Sequence, residues 1–315
     1  MSKLKLYYPV NEYVLNLNRD HTRFYLDLIS EISKTHEVYV EPNHEDAHKG
    51  GVTYILETDP NVKQHVFDCE MMIENLDNGD FFLLSAHDHL SVSTLSNKEN
   101  PKFKKILFSQ FIPNEMYHHT RKYYQKYYPW IYFRQDNIDL EPFYEKRKNV
   151  ELKFNNLFFR GSYSDRPILN HIDPTIISMG KVTSNTQYFE DLIKHKVALA
   201  VGGASTGDLC YRDIEYMQLG IPFIKFQYIT YLETPLIPNY HYISIDIPTD
   251  LPIHNDVIKD RLGLNHHAKM IEKRYYEVIN DVEFLNMIGN NSRRYFEENL
   301  SYDARIKKTI NMLNL

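Results

Sequence analysis

One stretch of this 315-residue chain restricts its fold more than any other: residues 197–226. The apolar run Val197-Ala198-Leu199-Ala200-Val201 stops at Gly202-Gly203, and the small, flexible Ala204-Ser205-Thr206-Gly207 follows. From Cys210 the pattern becomes helical, with Arg212 and Glu215 one turn apart. Gly220-Ile221-Pro222 then turns the chain into a second apolar run, Phe223-Ile224-Lys225-Phe226. Strand, glycine-rich turn, helix, turn and strand form the repeating unit of a parallel α/β sheet. The helix start in such a unit offers unpaired N–H groups and the positive end of a dipole, so it favours an anion. Arg212 adds a planar fork of donors suited to phosphate oxygens. The spacing Gly-x4-Gly-Lys-[Ser/Thr] of a P-loop is absent, and no Gly-x-Gly-x-x-Gly follows the first apolar run, which argues against a nicotinamide dinucleotide.

The rest of the chain extends this pattern. Strands are expected at residues 4–8, 38–40, 52–56, 81–84 and 106–108, the second and third of them short and buried, with helices at 22–34, 62–76 and 114–128. Residues 134–155 are charged, carry Pro142 and read as a linker. Strand and helix then alternate again, with strands at 156–159, 197–201, 223–226 and 241–245 and helices at 187–195 and from 210. The chain is helical from about residue 264, in segments 269–278, 282–300 and 302–312. The reading is an α/β fold of two Rossmann-like domains facing a cleft, with a helical C-terminus. The first domain takes residues 1–140, the second 155–300, and a final helix 301–315. Hydrophobic residues at 43% suffice for two cores at this length.

Composition excludes some partners. The net charge is −6, whereas a chain that tracks nucleic acid usually carries a basic surplus. No nucleic-acid partner is therefore expected. Two cysteines, Cys69 and Cys210, are too few for a disulfide framework and suit a reducing compartment. The first residues lack the apolar core of a leader, and no segment approaches the ~18 apolar residues of a membrane span. A cytoplasmic protein is expected.

Three strand ends carry the chemistry. The first is Ser85-Ala86-His87-Asp88-His89. Asp88 suits a general base that takes a proton from a hydroxyl, and it equally suits a turn in which it caps the next segment. His87 and His89 would share one face of a continuing strand. A zinc site needs a third and usually a fourth ligand, and none has recognisable spacing here, so no metal is assigned. The second is Phe158-Phe159-Arg160-Gly161-Ser162, where an arginine and a hydroxyl beside a glycine suit a phosphate or a sugar. The alternative is a β-turn with Arg160 paired to Asp165. The third is the 202–215 stretch, whose plain alternative is an amphipathic helix with Leu209, Ile214, Met217 and Leu219 inside and Arg212, Asp213 and Glu215 in water. Cys210 has no evident base to make it a nucleophile. The pairs His118-His119 and His266-His267 are assigned to the surface. Tyr127-Tyr128-Pro129-Trp130 reads as packing at a domain edge, with Trp130 the residue there able to stack on a sugar ring.

Taken in order, these segments resemble the protein O-glucosyltransferase and capsule-associated (lipopolysaccharide-modifying) family of glycosyltransferases. Residues 82–88 are similar to the family strand that ends at a catalytic aspartate. Phe158-Phe159-Arg160-Gly161-Ser162 is similar to its Phe-Arg-Gly-Ser segment, and residues 205–225 to its Tyr-Arg, helix, Gly and strand segment. Residues 231–245 and 288–301 resemble its Pro-x-x-His-Tyr stretch and its C-terminal helix ending. The Arg212-x-x-Glu215 and Gly-Ile-Pro pattern is more distantly similar to exostosin-like transferases, in which the glutamate grips the nucleotide ribose. The resemblance spans about residues 80–302, in short segments.

It implies a GT-B architecture and an inverting, metal-independent transfer. The donor would be a nucleoside-diphosphate sugar, UDP-linked glucose or xylose first among them, and it is a substrate, so no cofactor is expected. Asp88 would be the base. Arg160, Gly161, Ser162, Gly203, Ser205, Thr206, Tyr211, Arg212 and Glu215 would bind the donor. His87, His89 and Trp130 would face the acceptor, a glycan or glycoprotein hydroxyl. Two other functions fit the same residues: a DNA-modifying sugar transferase, which the acidic balance disfavours, and a nucleotide- or sugar-binding module without turnover.

Overall fold

The computed structural model describes residues 2–8, 20–42, 52–56, 59–66, 70–85, 103–108, 127–129, 139–152, 154–161, 166–180, 184–201, 209–228, 232–246 and 261–314. The chain divides into two compact units. The first comprises Met1–Asp136, Tyr231–Glu233 and Tyr302–Leu315, and the second Asn137–Thr230 and Thr234–Ser301.

The first unit contains β1 (Lys3–Tyr8), α1 (Asp20–Ile32), β2 (Glu37–Pro42), β3 (Val52–Leu56), β4 (Asp59–Val66), β5 (Glu70–Asn75), β6 (Asp80–Ser85), β7 (Phe103–Phe108) and β8 (Tyr127–Pro129). Six of these strands form one sheet in the order β2-β1-β5-β6-β7-β8, and β3 and β4 form a two-stranded sheet. The large sheet is mostly parallel, with β5 alone running against β1 and β6. Register aligns Leu6 with Ile73 and Ile73 with Phe82, so one apolar row crosses three strands. That row packs on Phe24, Tyr25, Leu28 and Ile32 of α1 and on Ile306 and Leu313 of the last helix.

The second unit contains α2 (Glu141–Asn149), β9 (Phe154–Arg160), a 3-10 turn (Pro167–His171), β10 (Ile177–Gly180), α3 (Asn185–Leu192), β11 (His195–Leu199), α4 (Tyr211–Gln218), β12 (Phe223–Phe226), β13 (Ile243–Ile245), α5 (Arg261–Val278) and α6 (Val282–Tyr295). A π turn, Phe296–Leu300, ends α6, and α7 (Tyr302–Leu313) returns to the first unit. The five strands are all parallel in the order β10-β9-β11-β12-β13. Both faces are covered, as an all-parallel sheet requires. Leu157, Phe159, Val197, Leu199, Ile224 and Ile243 lie in a core with Leu264, Ala268 and Ile271 of α5 and with the 3-10 turn. Phe158, Ala198 and Phe223, of opposite parity, are also buried, and rings from α3 and α4 meet two of them: Tyr188 on Phe158 and Tyr216 on Phe223. Ser184 caps α3 and Asp281 caps α6, each accepting from a backbone N–H three residues on.

The two-sheet α/β fold with a helical C-terminus follows the expectation, and four local readings change. Within residues 62–76 the described residues form the end of β4 and all of β5, not a helix. Asn78-Gly79 does make a turn, with Gly79 at φ +70°, but it joins two strands. Residues 134–155 contain α2, which starts at Glu141-Pro142 where proline's fixed φ suits a first turn. β2 is an edge strand, and Tyr39 and Val40 on it are exposed, not buried. Of the 114–128 segment, Tyr127 and Tyr128 are described, and they lie in β8.

Candidate functional site

The second sheet changes direction between β9 and β11. From β9 the chain goes to β10 on one side, and from β11 it continues to β12 and β13 on the other. Counted from β9 the order is 2-1-3-4-5, a doubly wound order in which ligands bind beyond the carboxyl ends of the strands flanking the reversal. Those ends are Arg160-Gly161 and Ala200-Val201, and the chain that leaves β11 returns at α4.

Arg212, the second residue of α4, reaches back over the end of β9. Its Nε donates to the carbonyl oxygen of Arg160 at 3.1 Å. Its guanidinium lies on Gly161: a Cβ at that position would sit 2.2 Å from one Nη and 3.2 Å from Cζ. Gly161 has φ +149°, a backbone conformation that favours glycine, so both the torsion and the space require the missing side chain. Arg212 Cζ is 5.1 Å from the centre of the Phe159 ring. Burial works against its charge, but Tyr216, Cys210, Tyr188 and Glu215 around it outweigh that and raise its pKa.

A second guanidinium meets the same ring. Arg166 Cζ is 5.8 Å from the Phe159 centre, and Arg166 Nε donates to the Val201 carbonyl at 3.1 Å, just past β11. Arg166 and Arg212 are thus anchored on the two strands that flank the reversal. Arg160 is placed differently. Its guanidinium turns onto β10, donating to the Ser178 carbonyl at 2.5 Å and lying 4.8 Å from the Phe158 ring. The residues that the sequence reading joins at one phosphate, Arg160 and Arg212, do meet at one strand end, but through the carbonyl of Arg160. A Cβ at Gly180 would approach Arg160 Nε to 3.1 Å, so the β10 end also accommodates that side chain.

The helix behind Arg212 is more deeply engaged than an amphipathic pattern suggests. Ile214, Met217 and Leu219 are buried as expected, but so is Asp213, which the pattern puts in water. The Asp213 carboxylate accepts from Cys210 N at 3.0 Å and Tyr228 Oη at 2.9 Å, and lies 2.9 Å from Lys225 Nζ. A third-position acid reaching back to the N-cap N–H closes the helix start. Cys210 Sγ donates to the other carboxylate oxygen at 3.3 Å, and burial together with Asp213 pushes the thiol up to about 11. It stays protonated near neutrality, unlike an activated nucleophile. Glu215 accepts from Tyr188 Oη at 3.0 Å. Burial, then Tyr216 and Glu215, hold the Tyr188 pKa well above its ordinary value, so it remains a donor.

Asp88, His87, His89, Trp130, Ser162, Asp165, Gly203, Ser205 and Thr206 lie outside the described residues, as does the side chain of Tyr211, which opens α4. Among the described residues no three His, Cys, Asp or Glu side chains gather as a metal site would. His266 is exposed, but His267 is buried, with Nδ1 2.6 Å from the Gly263 carbonyl, so only one of that pair belongs to the surface. The sequence reading missed Arg166, Tyr188 and the Asp213–Lys225 pair. Only the last left a local trace, a lysine inside the otherwise apolar run Phe223-Ile224-Lys225-Phe226.

No protein-family model matches this chain, and no curated protein sequence does. Among solved structures it is similar to a glycosyltransferase from Rickettsia africae ESF-5, at 12% identity over 71% of this chain and 66% of that one, with a TM-score of 0.43. It is also similar to TarM, at 14% identity over 68% of this chain and 44% of that one, with a TM-score of 0.40. The chain therefore spans just under two thirds of the first protein's length and less than half of the second's.

Proposed function

We propose that the protein is a glycosyltransferase that takes its sugar from a nucleoside-diphosphate sugar, bound at the carboxyl end of the parallel sheet. One observation carries this reading. Two guanidiniums, Arg166 and Arg212, converge on the Phe159 ring at the strand reversal, where α4 also begins. Two guanidiniums held at one ring beside the positive end of a helix suit the oxygens of a diphosphate. When the bond from anomeric carbon to phosphate oxygen breaks, negative charge grows on the leaving diphosphate. Fixed donors aimed there stabilise that charge more than the ground state.

In this reading Asp88 removes the proton from an acceptor hydroxyl. The hydroxyl oxygen attacks the anomeric carbon from the side opposite the diphosphate, and the configuration inverts. The diphosphate leaves onto Arg166 and Arg212 without a metal, with Arg160, Gly161, Ser162 and residues 203–206 completing its surroundings and Glu215, oriented by Tyr188, near the ribose. UDP-linked glucose or xylose is the donor and a glycan or glycoprotein hydroxyl the acceptor, met by His87, His89 and Trp130. No helix among the described residues is long and apolar enough to cross a membrane.

A thermal-shift series with UDP, GDP, dTDP and their sugars names the donor class, because a ligand selective for the folded form raises the melting temperature by mass action. Nucleotide release from the stabilising sugar then tests catalysis. Asp88→Asn is expected to lower turnover about 10²–10⁴-fold, the usual range for a general base. Stabilisation without release would leave a binding module, and release untouched by the substitution would remove Asp88 from the mechanism.

A further inference from the structure

We infer that the buried Asp213–Lys225 pair, with Tyr228, is a positioning device for Arg212; the inference rests on the donor-site reading above. Lys225 stands in the middle of β12 between Ile224 and Phe226, which point into the core on the other face. Its side chain and that of Asp213 are both 0% exposed, 2.9 Å apart. Burying two charges is costly, and apolar side chains of similar volume often serve stability as well or better. Cohesion alone is therefore a weak account of this pair.

Its location gives a stronger one. Asp213 and Arg212 are neighbours at the start of α4 and hold opposite sides of the sheet end. Asp213 ties the helix start to β12 through Lys225 and to Tyr228 just beyond that strand. Arg212 ties it to β9 through the Arg160 carbonyl and the bare surface of Gly161. A shift of the first turn of α4 away from β12 would withdraw the guanidinium from Gly161. The ion pair also sets the local charge. An acid in the first turn ordinarily offsets the helix dipole, but Lys225 neutralises this one. With Asp213 matched to Lys225, the acid acting on Arg212 is Glu215, which also accepts from Tyr188, and the positive end of α4 keeps its pull on an incoming anion.

The test removes the charges and keeps the shape. Asp213→Asn with Lys225→Met preserves an acceptor for the Cys210 N–H and fills the lysine's volume. The first readout needs no ligand: hydrogen exchange of the Arg212 Nε–H, seen by NMR as a side-chain signal protected by the Arg160 carbonyl. Loss of positioning predicts exchange faster by about tenfold, with UDP binding weakened roughly five- to tenfold, the scale of one lost hydrogen bond. In an Arg212→Ala background the same double substitution should leave UDP affinity unchanged, because the pair then has nothing to position. Should the double variant not fold, Tyr228→Phe deletes one hydroxyl from the same carboxylate and should speed exchange two- to threefold on the same scale. Unchanged Arg212 exchange in the folded variants, or equal affinity losses with and without Arg212, would overturn the inference. If the unmodified protein binds no nucleotide, the donor-site reading fails, while the exchange measurement still decides the positioning role.

Discussion

The two ends of the second sheet use arginine and aromatic rings in opposite ways. At the amino end, Arg147 of α2 donates through one Nη to the carbonyls of Ile193 and His195, each at 2.9 Å. That places a cation at the negative end of α3, where the dipole favours it. Burial lowers its pKa to about 10, and it remains charged. Beside it His195 stacks on Phe154 and meets Phe158 edge-on, with Nδ1 2.9 Å from the Asp191 carbonyl. This end is closed: charge, dipole and carbonyls match within the protein. At the carboxyl end, Arg212 stands at the positive end of α4 and Arg166 meets the same Phe159 ring; Asp213 beside Arg212 is matched to Lys225, and Glu215 is the acid that helps raise the Arg212 pKa. Like charge set against like dipole becomes favourable when an anion arrives. The same residue types therefore serve structure at one end and, in the function proposed above, binding at the other, and the helix polarity beside them makes the difference.

Crossed substitutions break this contrast most sharply. Arg212→Ala should weaken binding of the stabilising nucleotide diphosphate about 10- to 100-fold, since a charge-assisted hydrogen bond contributes ~1.5–3 kcal/mol, and should barely move the unfolding midpoint. Arg147→Met should do the reverse, costing about 2–3 kcal/mol of stability by orphaning two buried carbonyls while leaving nucleotide affinity intact. Titration calorimetry and urea unfolding on both variants decide it. An equal affinity loss at Arg147 would erase the distinction.

Gly161→Ala refines the carboxyl end. The new Cβ would occupy the place of the Arg212 guanidinium on a backbone with φ +149°, so affinity should fall about tenfold, close to the loss of the arginine contact itself. Gly180→Ala touches Arg160 instead, at 3.1 Å, and should cost less. Equal losses from the two would mean that the guanidinium on β10 matters as much as the one on α4.

The last contrast concerns pH. In the second unit, His241 Nδ1 accepts the Ile237 N–H at 2.9 Å, and burial and then Arg294 push the imidazole from 6.5 down to about 4. The folded state therefore binds this proton less readily than the unfolded chain. Its contribution to stability is complete above pH 6.5 and is lost as pH falls toward 4. His195, whose pKa burial also lowers, acts in the same direction. His241→Gln should flatten the acid side of the stability profile and leave nucleotide affinity alone; a profile of unchanged slope would assign the acid loss to other groups.

Local sequence determined the parts that short-range physics controls. The 197–226 stretch reads as strand, turn, helix and strand because its apolar periodicity and glycines leave few alternatives; Gly161 reads as a place where a ligand could approach the backbone, and the group that the fold brings there is the Arg212 guanidinium. The alternation of elements was enough to imply two α/β sheets. Tertiary pairing decided the rest. Met71 and Ile73 became alternating strand positions because β5 lies between β1 and β6. Lys225 is inside because an aspartate 12 residues earlier reaches it across the helix start. Arg166 joins Arg212 because the strand order reverses between β9 and β11, which brings together residues 46 apart in the chain. A side chain's partner is set by which strands become neighbours. That choice is made by burial summed over a whole sheet, which no window of adjacent residues contains.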